Sequence, residues 1–409
     1  MTLRLSGYLG SIGLLLVACG SSQGKEGTQD NPGFNVGGNG AINVTYVGGV
    51  AKLTEAQVTA LKGSSCAGWA HEGENVPAVL DFVVDVSGSM GLTAPTTNGQ
   101  PKWDITSTAL LNALDALPGS TAVGMIFFPN MNTHSNTTGN PVALTQCVKT
   151  QAMIPIALLG AAGSAQRATL ASGINAANAA GGTPTDDAFE YELANNMNMS
   201  QLPGQRFMVL ITDGQPTFLK GCMGTGNTAD PVDYNPVVNA IQGAWTTSGV
   251  KTFIIGSPGS EAQASTGADG RGWLSHAATV GQTPLTPTCS DSGPNYCHFD
   301  MSQVPDFAAG FKDALAQIAG QVVSCSYTMP QPPSGQTLDL SKINVILTTS
   351  TPEYLLIQRA SSSTCTTGWY LDSGNNVVLC SDTCKTAKAD TKASLDLLFG
   401  CATIGSPLT

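Results

Sequence analysis

Val79-Leu80-Asp81-Phe82-Val83-Val84-Asp85-Val86-Ser87-Gly88-Ser89 decides the fold. Its first six residues are a β-rich run bounded by Pro77 on one side and Ser87-Gly88-Ser89 on the other. Working outward, strand and helix signals alternate. Trp103 to Leu117 repeats apolar residues at helical spacing and stops at Pro118-Gly119. Ala122 to Phe128 predicts a second buried strand, Gln166 to Ala180 an Ala-rich helix ending at Gly181-Gly182, and Asp186 to Met199 another helix. Phe207 to Thr212 is a nearly continuous apolar strand. Beyond it come a helix at Val237 to Thr246, a strand at Lys251 to Ile255 and a helix at Trp273 to Val280. A short strand at Cys297 to Phe299 and an amphipathic helix at Phe307 to Val322 close the block. Continuous apolar strands alternating with helices predict an α/β fold, a doubly wound and mainly parallel sheet covered on both faces. Ligands of such sheets sit in the crevice beyond the carboxyl ends of the strands.

Three segments fall at that edge. Asp85-Val86-Ser87-Gly88-Ser89 is a D-x-S-x-S arrangement that offers one carboxylate and two hydroxyls just past a buried strand. Asp213-Gly214 ends a second strand, and Gly181-Gly182-Thr183-Pro184-Thr185 places a hydroxyl before a helix N-terminus. The D-x-S-x-S signal is weak alone, and its value comes from the recurrence. In this order and spacing the residues resemble the metal ion-dependent adhesion site (MIDAS) of the von Willebrand factor A domain. The resemblance covers roughly residues 75–322 and implies that domain's Rossmann-like fold. Asp85, Ser87 and Ser89 match the first loop, Thr183 rather than Thr185 the second, and Asp213 the third. Two carboxylates and three hydroxyls are hard oxygen ligands, suited to Mg2+, Mn2+ or Ca2+ and unsuited to copper or zinc. The resemblance further implies a partner, protein or glycan, that offers an acidic group to the ion. The alternative is a metal-free loop whose Ser and Asp merely cap the next helix. Asp186 and Asp187 read as helix N-terminal charges, and the Gly-rich Lys220 to Pro231 loop is placed to shape specificity.

The N-terminus carries a different message. Arg4 precedes an apolar stretch from Leu9 to Ala18, too short to span a bilayer but suited to a signal peptide over residues 1–18. Leu16-Val17-Ala18-Cys19 resembles a bacterial lipobox, which implies acylation of Cys19 as the membrane attachment. Gly20 after it resembles outer-membrane sorting. Residues 19–44 read as a flexible Gly/Ser/Asn-rich tether, and 45–74 as an extension with a short strand at Ile42 to Val50 and a helix at Thr54 to Lys62 capped by Thr54. Residues 323–409 predict a small β appendage. Its strands are expected at Asn344–Thr349, Tyr354–Gln358, Gly368–Leu371, Asn376–Leu379 and Ser394–Phe399, with a turn at Ser373-Gly374-Asn375. The whole chain resembles Cys-rich von Willebrand A lipoproteins of myxobacteria.

Cysteine usage agrees with export. Of 11 Cys, ten remain after Cys19, five on each side of residue 320, so full oxidation needs at least one bridge across that boundary. Cys289 to Cys297 suits a local staple. The 409 residues carry only 11% charged side chains and a net charge of −11, with no Lys/Arg run. That excludes a clustered basic surface for nucleic acid. His71, His134, His276 and His298 are scattered, and neither a G-x-S-x-G elbow nor a phosphate loop is present. The expectation is a non-enzymatic, envelope-anchored binding protein facing the periplasm or the surface. Its alternatives are a metal-independent envelope scaffold and, less favoured, a metal-dependent hydrolase.

Overall fold

The computed structural model describes residues 34–36, 40–42, 50–63, 69–73, 78–130, 141–224, 230–262, 267, 269–322, 325–349, 353–357, 359–360, 363–389 and 393–400. The signal peptide, the lipobox with Cys19, and Cys66, His134 and Cys401 lie outside the described residues. No described helix is long and apolar enough to cross a membrane.

Within the stretch whose composition predicts a tether, β1 (Phe34–Val36) and β2 (Gly40–Ile42) pair as an antiparallel hairpin. Residues 43–49 of the strand expected at Ile42 to Val50 lie outside the described residues, and β3 runs over Val50–Leu53. Helix α1 (Glu55–Gly63) follows. The Thr54 hydroxyl accepts the Gln57 N–H at 3.2 Å while Gln57 Oε1 accepts the Thr54 N–H at 2.8 Å, a reciprocal cap. Strand β4 (Trp69–Glu72) completes this segment.

The α/β unit begins with β5 (Ala78–Asp85). In chain order it continues through α2 (Lys102–Ala116), β6 (Ala122–Phe128), the single turn α3 (Leu144–Cys147), β7 (Ile154–Leu158), α4 (Ala165–Ala176) and α5 (Thr185–Glu192). Next come β8 (Gln205–Thr212), the hairpin β9 (Phe218–Leu219) and β10 (Met223–Gly224), α6 (Asn235–Ser248) and β11 (Lys251–Gly256). The unit ends with α7 (Arg271–Val280), β12 (Phe299–Asp300) and α8 (Phe307–Val322). Its six-stranded sheet has the order β12-β11-β8-β5-β6-β7. All neighbours pair parallel except β7, which runs antiparallel at the edge. Every residue of β5 and β6 is buried, the physical reason their sequences read as unbroken apolar runs. Leu80, Phe82 and Val84 face one helical layer with Trp103, Leu110 and Phe311, while Val79 and Val83 face the other with Phe189, Ile241 and Leu274.

Two local departures matter for the site. Helix α4 stops at Ala176, four residues before the expected Ala180. The backbone that follows serves the first loop instead. Ala180 N–H donates to the Val86 carbonyl at 2.9 Å, and Trp103 Nε1 donates to the Ala177 carbonyl at 3.0 Å. Helix α5 runs on into a π-helical turn at Leu193–Met197 rather than continuing regularly to Met199.

After α8 the chain forms β13 (Ser326–Tyr327), β14 (Ile343–Thr348), β15 (Tyr354–Ile357), β16 (Trp369–Leu371), β17 (Val377–Leu379), α9 (Ser381–Ala389) and β18 (Ser394–Phe399). One antiparallel sheet has the order β3-β15-β14-β18-β4, so strands from before the α/β unit form both of its edges. A second has the order β13-β17-β16. The expected turn is present: Asp372 N–H donates to the Asn376 carbonyl at 3.1 Å, with Asn375 left-handed at φ 62°. Helix α9 was not expected, because Ser-Asp-Thr-Cys-Lys-Thr-Ala-Lys-Ala has only a thin apolar stripe. Cys384 and Ala387 of that stripe pack on the core around Trp369. Bridges Cys325–Cys384 and Cys365–Cys380 staple this region, and Cys147–Cys222 and Cys289–Cys297 staple the α/β unit. The local Cys289 to Cys297 staple is as expected.

Candidate metal centre at the carboxyl edge of the sheet

Strands β5 and β8 are parallel neighbours with Val84 opposite Ile211, so the segments beyond them emerge side by side. Asp85 is fully buried at the first exit. Its Oδ1 accepts the Ser87 N–H at 2.7 Å and its Oδ2 accepts the Thr212 hydroxyl at 2.6 Å. Ser89 donates its hydroxyl to Asp213 Oδ1 at 2.7 Å, and Ser87 Oγ lies 3.0 Å from Ser89 Oγ. Ser89 has one proton and gives it to Asp213, so Ser87 is the donor to Ser89. Asp85, Ser87, Ser89 and Asp213 are thus gathered into one hydrogen-bonded cluster.

The second loop docks through its backbone. Gly88 N–H donates to the Gly181 carbonyl at 2.9 Å, joining the first loop to the second. Thr183 N–H donates to Thr217 Oγ1 at 2.7 Å, and Thr217 N–H returns to the Thr183 carbonyl at 3.0 Å, joining the second to the third. Glycine is required at 182, where a Cβ would lie 2.6 Å from the Phe218 ring and 2.8 Å from Thr217 Oγ1. The Thr183 hydroxyl makes no hydrogen bond among the described residues, while the neighbouring Thr185 hydroxyl is buried without a partner among them.

Burial first, and then the charge of Asp213, push the Asp85 carboxyl up to about 7, against the opposing hydrogen bonds from Thr212 and Ser87. One cation answers these two acids. Lys102 Nζ lies 2.5 Å from Asp213 Oδ2 and 2.7 Å from the Pro258 carbonyl, and the pair is almost completely buried. With both acids ionised, one negative charge remains uncompensated. Oxygen-only donors, an unpaired hydroxyl and an excess negative charge fit Mg2+, Mn2+ or Ca2+. Lys102, Thr212 and Thr217 had no signal in the sequence that tied them to the site.

The neighbouring acids divide. Asp187 accepts the N–H groups of Gly221 and Cys222 at 2.9 and 2.8 Å, so it pins the loop after β9 rather than only charging a helix end. Asp186 is buried, makes no hydrogen bond among the described residues, and has Lys220 at 4.0 Å; burial, then Glu190, push it up to about 6. Cys147, Asp187 and Cys222 also cluster, but the two sulfurs are joined in a disulfide and offer no thiolate to an ion. Residues 225–229 of the Lys220 to Pro231 loop lie outside the described residues. His276 Nδ1 meets Asp291 at 2.9 Å on the surface, and burial drives His298 down to about 4, so it stays neutral.

No family model and no curated protein matches the sequence. Similar solved structures include the pilus adhesin SpaC from Lactobacillus rhamnosus GG, at 15% identity and TM-score 0.42, covering 80% of this chain and 45% of that one. Another is a von Willebrand factor type A structure from Catenulispora acidiphila, at 12% identity and TM-score 0.38, covering 83% and 60%. A third is the vWF domain of the type V pili tip protein Mfa5 from Porphyromonas gingivalis, at 11% identity and TM-score 0.36, covering 64% and 99%. The chain spans less than half the length of the pilus adhesin. At such scores the architecture rests on the chain's own sheet order. That order, with helices on both faces, makes the central unit a doubly wound, mainly parallel α/β fold.

Proposed function

We propose that this chain is an envelope-anchored lipoprotein, acylated at Cys19, that binds a protein or glycan partner through a divalent cation. Asp85, Ser87, Ser89, Thr183 and Asp213 hold the ion, with Mg2+ the first choice and Mn2+ or Ca2+ able to replace it. The observation that carries this reading is the convergence of the D-x-S-x-S loop and the loop after β8 on one oxygen-rich, net-negative cluster, with the second loop fastened to both through its backbone. When bound, the ion supplies a Lewis-acidic position that an acidic group of the partner can fill. The chain's own residues do the positioning. Asp85 is locked by Thr212 and Ser87, and the Ser87 to Ser89 to Asp213 relay orients the hydroxyl lone pairs.

Binding fits this cluster better than catalysis. Both oxygens of Asp85 and both of Asp213 are engaged, so neither is poised as a general base. Four disulfides among the described residues suit an oxidising compartment outside the cytoplasm. The test is calorimetric titration of the full chain with Mn2+. One site, displaced by Mg2+ and emptied by EDTA, is expected for the wild type. Asp85→Ala should lose it while keeping its circular dichroism. Equal Mn2+ binding by that variant would sink the reading.

A further inference from the structure

Lys102 stands where simple electrostatics disfavours a cation. It opens α2, the positive end of the helix dipole, and its side chain is 6% exposed. Three segments hold it there. Its N–H donates to the carbonyl of Leu92, just past the D-x-S-x-S loop, at 3.0 Å. Its ammonium reaches Asp213 in the third loop and the Pro258 carbonyl beyond β11. Gly259, at φ 110°, lets that last loop close: a Cβ there would lie 3.0 Å from Lys102 Nζ and 3.1 Å from the Asp213 carbonyl oxygen. Asp213 is thereby gripped from both sides, by Ser89 on Oδ1 and Lys102 on Oδ2. The third loop is docked onto the first by the protein's own groups.

We infer that Lys102 is the resident counter-cation of the metal centre and sets its charge and ion affinity; the inference rests on the reading proposed above. With both acids ionised, two carboxylates and one ammonium leave the cluster at −1, so a dication brings the loaded centre to +1. Without Lys102 these values are −2 and 0. The lysine therefore weakens divalent binding through like-charge repulsion. It also leaves the loaded centre positive, which selects an anionic partner over a neutral one. No adjustment of the hydroxyl ligands achieves this, because hydroxyls carry no charge.

Mn2+ titration of the wild-type full chain, Lys102→Gln and Lys102→Arg tests the inference, with the melting temperature read with and without Mn2+. Gln keeps hydrogen-bonding capacity toward Asp213 but loses the charge, while Arg keeps the charge. Lys102→Gln is expected to bind Mn2+ at least tenfold more tightly and to gain more in melting temperature from it. Lys102→Arg should stay near the wild type. Equal or weaker binding by Lys102→Gln overturns the inference and leaves the metal centre standing. Binding by Lys102→Gln alone supports Lys102 as the counter-cation and overturns the metal reading of the native chain. No binding by either chain overturns both. A Lys102→Gln chain that folds only with Mn2+ supports the inference, because the ion then takes over the lost charge. One that fails to fold with or without Mn2+ makes Lys102 purely structural and overturns it.

Discussion

Thr212 donates its hydroxyl to Asp85 Oδ2 at 2.6 Å across two neighbouring strands, with both side chains fully buried. Thr212→Val keeps the shape and removes the donor, leaving a buried carboxylate oxygen unsatisfied. The expected cost is about 2 kcal/mol, read as a lower urea midpoint at unchanged slope. Thr212→Ser should recover most of it. A midpoint unmoved in the valine variant would remove Thr212 from the support of Asp85.

Beneath the sheet, Asn196 donates to Asp81 Oδ1 at 3.1 Å and to Glu192 Oε1 at 2.7 Å, all three side chains buried. Burial pushes Glu192 from its ordinary 4.5 up to about 7, and burial followed by the charge of Glu192 raises Asp81. The folded chain therefore holds protons that the unfolded chain releases. This stabilisation is complete below about pH 4.5 and is lost as pH rises towards 7. The loss is on the order of 3 kcal/mol. Glu192→Gln should flatten that part of the profile, leaving the same-signed contributions of Asp85 and Asp186. Parallel unfolding free energies of wild type and variant from pH 5 to 8 would count against the assignment.

Cys147–Cys222 closes a 75-residue loop and fixes the segment after β9, whose Gly221 and Cys222 N–H groups donate to Asp187. Its removal as Cys147→Ser/Cys222→Ser should lower stability by about 4 kcal/mol, measured by chemical unfolding. The four described bridges divide two and two about residue 320, so the bridge required across it under full oxidation falls to Cys66 and Cys401. Both lie outside the described residues, but β4 and β18 bring Trp69 opposite Phe399. Non-reducing peptide mapping should recover a Cys66–Cys401 peptide. Free thiols at both positions would contradict it.

Strand β3 covers one edge of the five-stranded sheet and β4 the other. Deleting residues 45–74 should therefore uncover β15 and β18 together. The truncated chain is expected to self-associate through its bare edges, visible as a concentration-dependent shift in size-exclusion chromatography. A monomeric truncated chain would show that these edges need no cover.

The legible elements share one property: their neighbours in space impose a pattern on the sequence itself. Strands β5, β6, β8 and β11 are buried on both faces and read as apolar runs, and β18 has the expected limits, Ser394–Phe399. Strand β7 was missed because an edge tolerates Pro155 and half-exposed residues, which break the run. The candidate ligands Asp85, Ser87, Ser89 and Asp213 were legible because each follows a strand end, and Thr183 because a Gly-opened loop sets it before α5. Lys102 was not: its partner lies 111 residues away, and a lysine opening an amphipathic helix looks like any solvated charge.

Gly73 and Tyr327 meet where the chain passes into and out of the α/β unit. A Cβ on Gly73 would lie 2.9 Å from the Tyr327 ring, and the Gly73 N–H is fixed to the Leu395 carbonyl at 2.6 Å. These two described residues lie side by side, so a pull on the five-stranded sheet reaches the α/β unit along a pair of cords instead of a single thread. Such a joint shares load and resists swivelling.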